Sequence, residues 1–219
     1  MLLLYGSIVL AVLHWIFTAR TFQMGIYLTK PTVMLLLIGW LVFSGMHQGV
    51  LPLLWFVLAL TFCLGGDVFL MLPERWFRAG LAFFLVGHIF YIAGFSATVT
   101  PKHSAAAAAL IALLLVGVGM WVVRKLFAGL EAHDKKNLRI PILAYAIIIS
   151  IMLFSASRTL FDPLWPASAG WMACMGALSF YVSDVMNAWH RFVGKLNNGR
   201  FWIMSTYHTA QILLTASVV

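Results

Sequence analysis

Eight stretches of about 20 mostly apolar residues follow one another along this chain, and each is long enough to cross the ~30 Å hydrocarbon core of a bilayer as a helix. In lipid every backbone N–H and C=O needs a partner within the protein, so such runs are restricted to helices. They lie near 2–19, 31–46, 50–72, 77–98, 104–124, 140–158, 167–189 and 200–218. Hydrophobic residues make up 63% of the chain and charged residues only 9%, against roughly 25% charged in a soluble domain. The expected architecture is an all-α integral membrane protein, a bundle of eight transmembrane helices with short loops forming one domain over residues 1–219. The second run begins at Lys30-Pro31, where proline suits a first helical position. The one sizeable polar stretch is Arg124 to Arg139, too short for a soluble domain, and the alanine run 105–109 suits close helix packing. The first run has no basic residue before it and no small-residue cleavage site, so it reads as a retained helix. Cys63 and Cys174 sit inside apolar runs and form no disulfide framework.

The net charge of +8 fits orientation and headgroup contact better than nucleic-acid binding. Arg20 and Lys30, then Arg75 and Arg78, then Arg124, Lys125, Lys135, Lys136 and Arg139, then Arg191, Lys195 and Arg200 occupy the odd-numbered loops. The even-numbered loops hold only Lys102 and Arg158. Basic residues mark cytoplasmic loops. Both termini are therefore expected outside the cytoplasm, in the inner membrane if the source is a bacterium.

Charged groups inside such runs are costly and point to function. Asp67, late in the third run, and Asp184, late in the seventh, fall one or two turns from the cytoplasmic face at ~1.5 Å per residue. Lys30 enters the second run from the same face. His88, with Tyr91 at i+3, Tyr145, Asn187, Tyr207, His208 and Gln211 complete a polar layer, His88 and His208 lying deeper. Plainer roles compete: aspartates as ion-pair partners, histidines as hydrogen-bonded packing, tyrosines as interface anchors, Lys30 as an orientation charge. Glu74, Glu131, Asp134 and Asp162 read as solvated loop carboxylates.

Four stretches carry a family likeness: Lys30-Pro31-Thr32; Gly66-Asp67-Val68-Phe69-Leu70 with Gly80, Gly87-His88 and Tyr91; Ser183-Asp184; and Met204-Ser205-Thr206-Tyr207 with Ala210-Gln211. In that order and spacing the chain resembles the YhhN-type lysoplasmalogenase family of multi-spanning membrane proteins. The resemblance implies hydrolysis of the vinyl ether bond of a lysoplasmalogen to a fatty aldehyde and glycerophospho-ethanolamine or -choline. It implies a lysophospholipid substrate, surrounding membrane lipids and no cofactor. Such chemistry needs a proton donor, a carboxylate to stabilise an oxocarbenium ion and a placed water. Asp67 and Asp184 can divide those roles, with Lys30 holding the phosphate and the remaining polar layer contacting substrate. His208 departs from the family pattern, so no catalytic role is implied for it.

Three other readings compete. An intramembrane aspartyl protease would need Gly-x-Gly-Asp, but residue 64 is Leu. A zinc-dependent lipid hydrolase could draw on Asp67, His88, His190 or His208, yet paired histidines at i, i+4 are missing and no metal site is expected. A transporter of lipid or small solute would use the aspartates as proton carriers, usually on a repeated fold that this sequence lacks.

Overall fold

The computed structural model describes residues 1–45, 50–98, 105–163 and 165–219. Among them are eight α-helices: α1 (Leu2–Ala19), α2 (Gln23–Ser44), α3 (Val50–Met71), α4 (Phe77–Thr98), α5 (Ala105–Ala132), α6 (Arg139–Arg158), α7 (Ala167–Phe192) and α8 (Gly199–Ala216). Consecutive helices pair as hairpins, and the ring closes where α2 meets α3, α4 meets α6, α6 meets α7 and α8 meets α1. Helix α5 stands outside the ring against α6 and α7. The core is a continuous apolar cluster that includes Leu37, Leu60, Tyr91, Met152, Phe180 and Leu214.

Six helices, α1 to α6, are apolar and long enough to cross a membrane. Helices α7 and α8 fall outside that set because they carry much of the polar layer: Ser183, Asp184, Asn187, His208 and Gln211. Several expected boundaries move. Helix α2 begins at Gln23, so Pro31 is interior and Lys30 lies two turns inside the helix rather than at its mouth. Proline frees a carbonyl one turn back. The flanking hydroxyls of Thr29 and Thr32 bond to the carbonyls of Gly25 and Leu28, both at 2.6 Å. Helix α5 runs on to Ala132, so Arg124, Lys125 and Glu131 are helical rather than part of a loop. Leu126 and Leu130 hold that extension down with Phe192 of α7. Asp162, expected in solvent, is buried at the turn after α6. Lys102 lies outside the described residues.

Two glycines sit in close backbone contacts, a tight one at Gly87 and one at Gly129 that any side chain would block. A Cβ on Gly87 would lie 3.2 Å from the Ala59 carbonyl oxygen, so α4 and α3 lie close together. A Cβ on Gly129 would lie 2.1 Å from the Phe192 carbonyl oxygen, pinning the end of α5 to the end of α7.

Candidate functional site

Three helices bring the first half of the site together. Lys30 of α2, Asp67 of the last turn but one of α3, and Tyr207 of α8 meet inside the bundle, at the end where α1–α2, α3–α4, α5–α6 and α7–α8 are joined. Lys30 Nζ is 2.9 Å from Asp67 Oδ1, and both side chains are almost wholly buried. Tyr207 donates to Asp67 Oδ2 at 2.7 Å. Behind it, Gln211 Nε2 donates to Tyr207 Oη at 3.3 Å and Tyr91 donates to Gln211 Oε1 at 2.6 Å. A buried ion pair is tolerated when hydrogen bonds satisfy its remaining lone pairs; this chain of three side chains from α4 and α8 supplies them.

Asp184 of α7 has different surroundings. Its side chain is 20% exposed, against 1% for Asp67. Tyr145 of α6 donates to Asp184 Oδ2, and His88 Nε2 of α4 lies 3.9 Å from the same oxygen. Among the described residues no lysine or arginine lies within ion-pair distance of Asp184. His88 Nδ1 is 2.6 Å from the carbonyl oxygen of Phe84. A carbonyl only accepts, so Nδ1 carries a hydrogen. Nε2 is buried and has no partner of its own, and in the neutral ring its lone pair is turned toward Asp184.

Both carboxylates border one cavity of about 100 Å³, together with Lys30, Tyr145, Asn187 and Tyr207. His88, Tyr91 and Gln211 stand behind this lining as supports. His208 is not brought to the cavity. Consecutive residues on a helix diverge by about 100°, and while Tyr207 faces Asp67, His208 faces α1. There it accepts a hydrogen bond from Trp15 Nε1 at 3.2 Å, and its ring lies 4.8 Å from that of His14.

Arg191, read from the sequence only as an orientation charge, also borders the cavity. Its guanidinium lies 4.1 Å over the ring of Phe77 and 3.7 Å from Glu74. The signal was present: Asp184, Asn187 and Arg191 stand at i, i+3 and i+7, one face of a helix. Outside the apolar segments, Lys135 donates to Glu74 at 2.6 Å. That bond, with the charges of Lys135 and Arg191, holds the Glu74 carboxyl below its usual range. Among the described residues no three His, Cys, Asp or Glu side chains are grouped to hold a metal ion.

A profile of the YhhN family matches residues 25–218. The chain is 37% identical over 93 residues to lysoplasmalogenase TMEM86B of Mus musculus, covering 42% of this chain and 37% of that protein. The same protein from Rattus norvegicus is 37% identical over 93 residues, covering 42% and 36%. That of Homo sapiens is 34% identical over 87 residues, covering 40% and 34%. Each match thus spans little more than a third of the relative's length. No solved structure matches the chain.

Proposed function

The chain belongs to the YhhN family, and from that premise we propose that it is a membrane-embedded lysoplasmalogenase, cleaving the vinyl ether bond of a lysophospholipid. Helices α7 and α8 cross the bilayer with the other six, as one domain. The joined ends of the helices face the cytoplasm, where the basic residues gather. The observation that carries the reading is the unequal pair of carboxylates on one cavity: Asp67 held by Lys30 at 2.9 Å, Asp184 with no cation that close.

That difference divides the work. Asp184 gives its proton to the β-carbon of the vinyl ether. The double bond shifts to leave an oxocarbenium ion between the α-carbon and the ether oxygen, and the carboxylate of Asp67 faces the developing positive charge. A water in the cavity adds its oxygen to the α-carbon and returns a proton to Asp184, so the acid is restored. The hemiacetal then parts into aldehyde and glycerol hydroxyl, with no net change in the enzyme. Tyr145 orients the Asp184 carboxyl, and Tyr207, Gln211 and Tyr91 hold Asp67. Arg191 and Asn187, on the Asp184 face of α7, contact the phosphate end of the substrate. Lys30, buried against Asp67, serves that carboxylate instead of holding the phosphate.

The test is aldehyde release by purified protein from an alkenyl lysophosphoethanolamine. Asp184→Asn should lower kcat by at least ~10³-fold while the protein is still recovered folded in detergent, because a general acid contributes about 10²–10⁴-fold and here also serves as the base. An Asp184→Asn enzyme with wild-type turnover would remove the carboxylate mechanism; a wild-type protein that releases no aldehyde would remove the reaction.

A further inference from the structure

The cavity between the aspartates is too small to hold a lipid. Sites that bury most of a small ligand run to about 300–1,000 Å³, whereas this one is about 100 Å³. It has room for the reacting carbons and water, but not for a long alkyl chain. Beside it lies a groove of about 570 Å³ between α5 and α6. Its walls are almost wholly apolar and include Leu115, Met120, Leu143, Ile147 and Phe154.

Two residues, Gly119 of α5 and Ala146 of α6, line both spaces. A Cβ on Gly119 would lie 3.8 Å from Tyr181 Oη, on the cavity side, and 3.9 Å from Ser150 Oγ, on the groove side. The partition there is a glycine and an alanine, with no larger side chain between the two spaces. Helix α5 is also unevenly held. Its C-terminal part is fixed to α7 through Gly129 and the Phe192 cluster. Its earlier turns leave Leu110, Leu113, Leu114 and Val116 half or more exposed.

We propose that the α5–α6 groove is the chain-binding subsite, taking the single long alkenyl chain of a lysophospholipid from the bilayer and passing its vinyl ether between Gly119 and Ala146 to Asp184. The proposal rests on the reading of the cavity as the site of vinyl ether cleavage. Length agrees: the groove runs from Ala112 to Phe127 along α5, about 22 Å at 1.5 Å per residue, and one leaflet of the hydrocarbon core is about 15 Å deep. Charge agrees as well. Arg124 lines the groove on the side of the joined helix ends, and among the described residues it has no carboxylate within ion-pair distance. Arg124 meets the anionic head as the lipid arrives; with the vinyl ether at Asp184 the head passes to Arg191 and Asn187 at the same helix ends, and the tail runs toward Phe154.

The test uses the full chain in vesicles of phosphatidylcholine. The probe is an alkyl-ether lysophosphoethanolamine with a diazirine at the chain terminus, which cannot be hydrolysed, so that labelling does not depend on turnover. Adducts are expected on the segments 112–127 and 143–154. Ala112→Trp, which fills the far end of the groove, should lower the ratio of kcat/KM for 16-carbon over 4-carbon alkenyl substrates by about tenfold. Leu113→Trp, 71% exposed on the outer side of α5, should leave the ratio within twofold. Labelling of other helices, or equal chain-length ratios in Ala112→Trp and wild type, would overturn the groove while leaving aldehyde release intact. Equal labelling of these segments by a diacyl phosphatidylcholine carrying the same diazirine would make it a site for ordinary bilayer lipid and would overturn the proposal too. Labelling at α5–α6 without aldehyde from any substrate would uphold the groove and remove the reaction.

Discussion

Removing Lys30 leaves Asp67 as a buried carboxylate with no cation beside it. The pair is 2.9 Å apart and almost sealed from solvent. At an effective dielectric constant of ~20 the Coulomb attraction is about 6 kcal/mol, partly offset by the desolvation of both groups. Breaking such a pair from one side costs about 3–5 kcal/mol, whereas replacing both members by uncharged residues is often close to neutral. Lys30→Met and Asp67→Asn should therefore each destabilise the protein by about 3–5 kcal/mol, and the double variant should lie within about 2 kcal/mol of wild type. Equilibrium unfolding in mixed micelles reads all four proteins. Single variants within about 1 kcal/mol of wild type, or a double variant whose cost is the sum of the singles, would refute the buried pair. Activity gives a second reading. Lys30→Met should lower kcat about 100-fold with KM changed less than threefold, since Lys30 acts on Asp67; an effect confined to KM would mean that it binds the phosphate.

Tyr145→Phe removes the hydroxyl that donates to Asp184. A hydrogen bond to a charged group is worth about 1.5–3 kcal/mol, so kcat should fall about 10- to 150-fold; an unchanged kcat would show that Asp184 does not need it. Gly129→Ala sets a methyl against the Phe192 carbonyl oxygen and should cost about 1–3 kcal/mol of stability, measured by the same unfolding assay; a neutral substitution would mean that α5 is not pinned there. Because Lys135 and Arg191 hold the folded Glu74 carboxyl below its ordinary value of 4.5, the pair stabilises the fold above that pH. That support is lost as pH falls through the folded value. The unfolding midpoint of Glu74→Gln should therefore fall less steeply than that of wild type from pH 6 to pH 3, and parallel curves would count against the pair.

The helices are legible in the order of residues alone. Hydropathy and length are local properties, and six of the eight runs meet both conditions as helices in the structure. The two that do not, α7 and α8, carry Asp184, Asn187, Tyr207 and Gln211. Local reading also selected Asp67, Asp184, Lys30, Tyr145 and Tyr207, because a charged or hydroxylated group in an apolar run must find a partner. It failed where a local cue had two meanings. Pro31 suits a helix start, yet here it is interior, and the polar stretch after Arg124 reads as loop although Leu126 and Leu130 carry the helix through it.

Which partner each polar group takes depends on how the helices pack. Asp67 takes its hydrogen bond from Tyr207, 140 residues away, and His208, one residue further on, turns to α1. No local pattern sets that choice, because it depends on the rotation of α8 about its axis and on which helices surround it. The same holds for the inequality of the two aspartates. Their sequence surroundings are alike, each late in an apolar run, and both border one cavity, but one is paired with a lysine and almost wholly buried while the other is partly exposed with no cation at ion-pair distance. The groove between α5 and α6 lies along the part of α5 whose side chains stay exposed, while Gly129 lets the end of that helix close on α7. Helix identity follows from each segment's own chemistry; the site follows from the packing of eight segments at once.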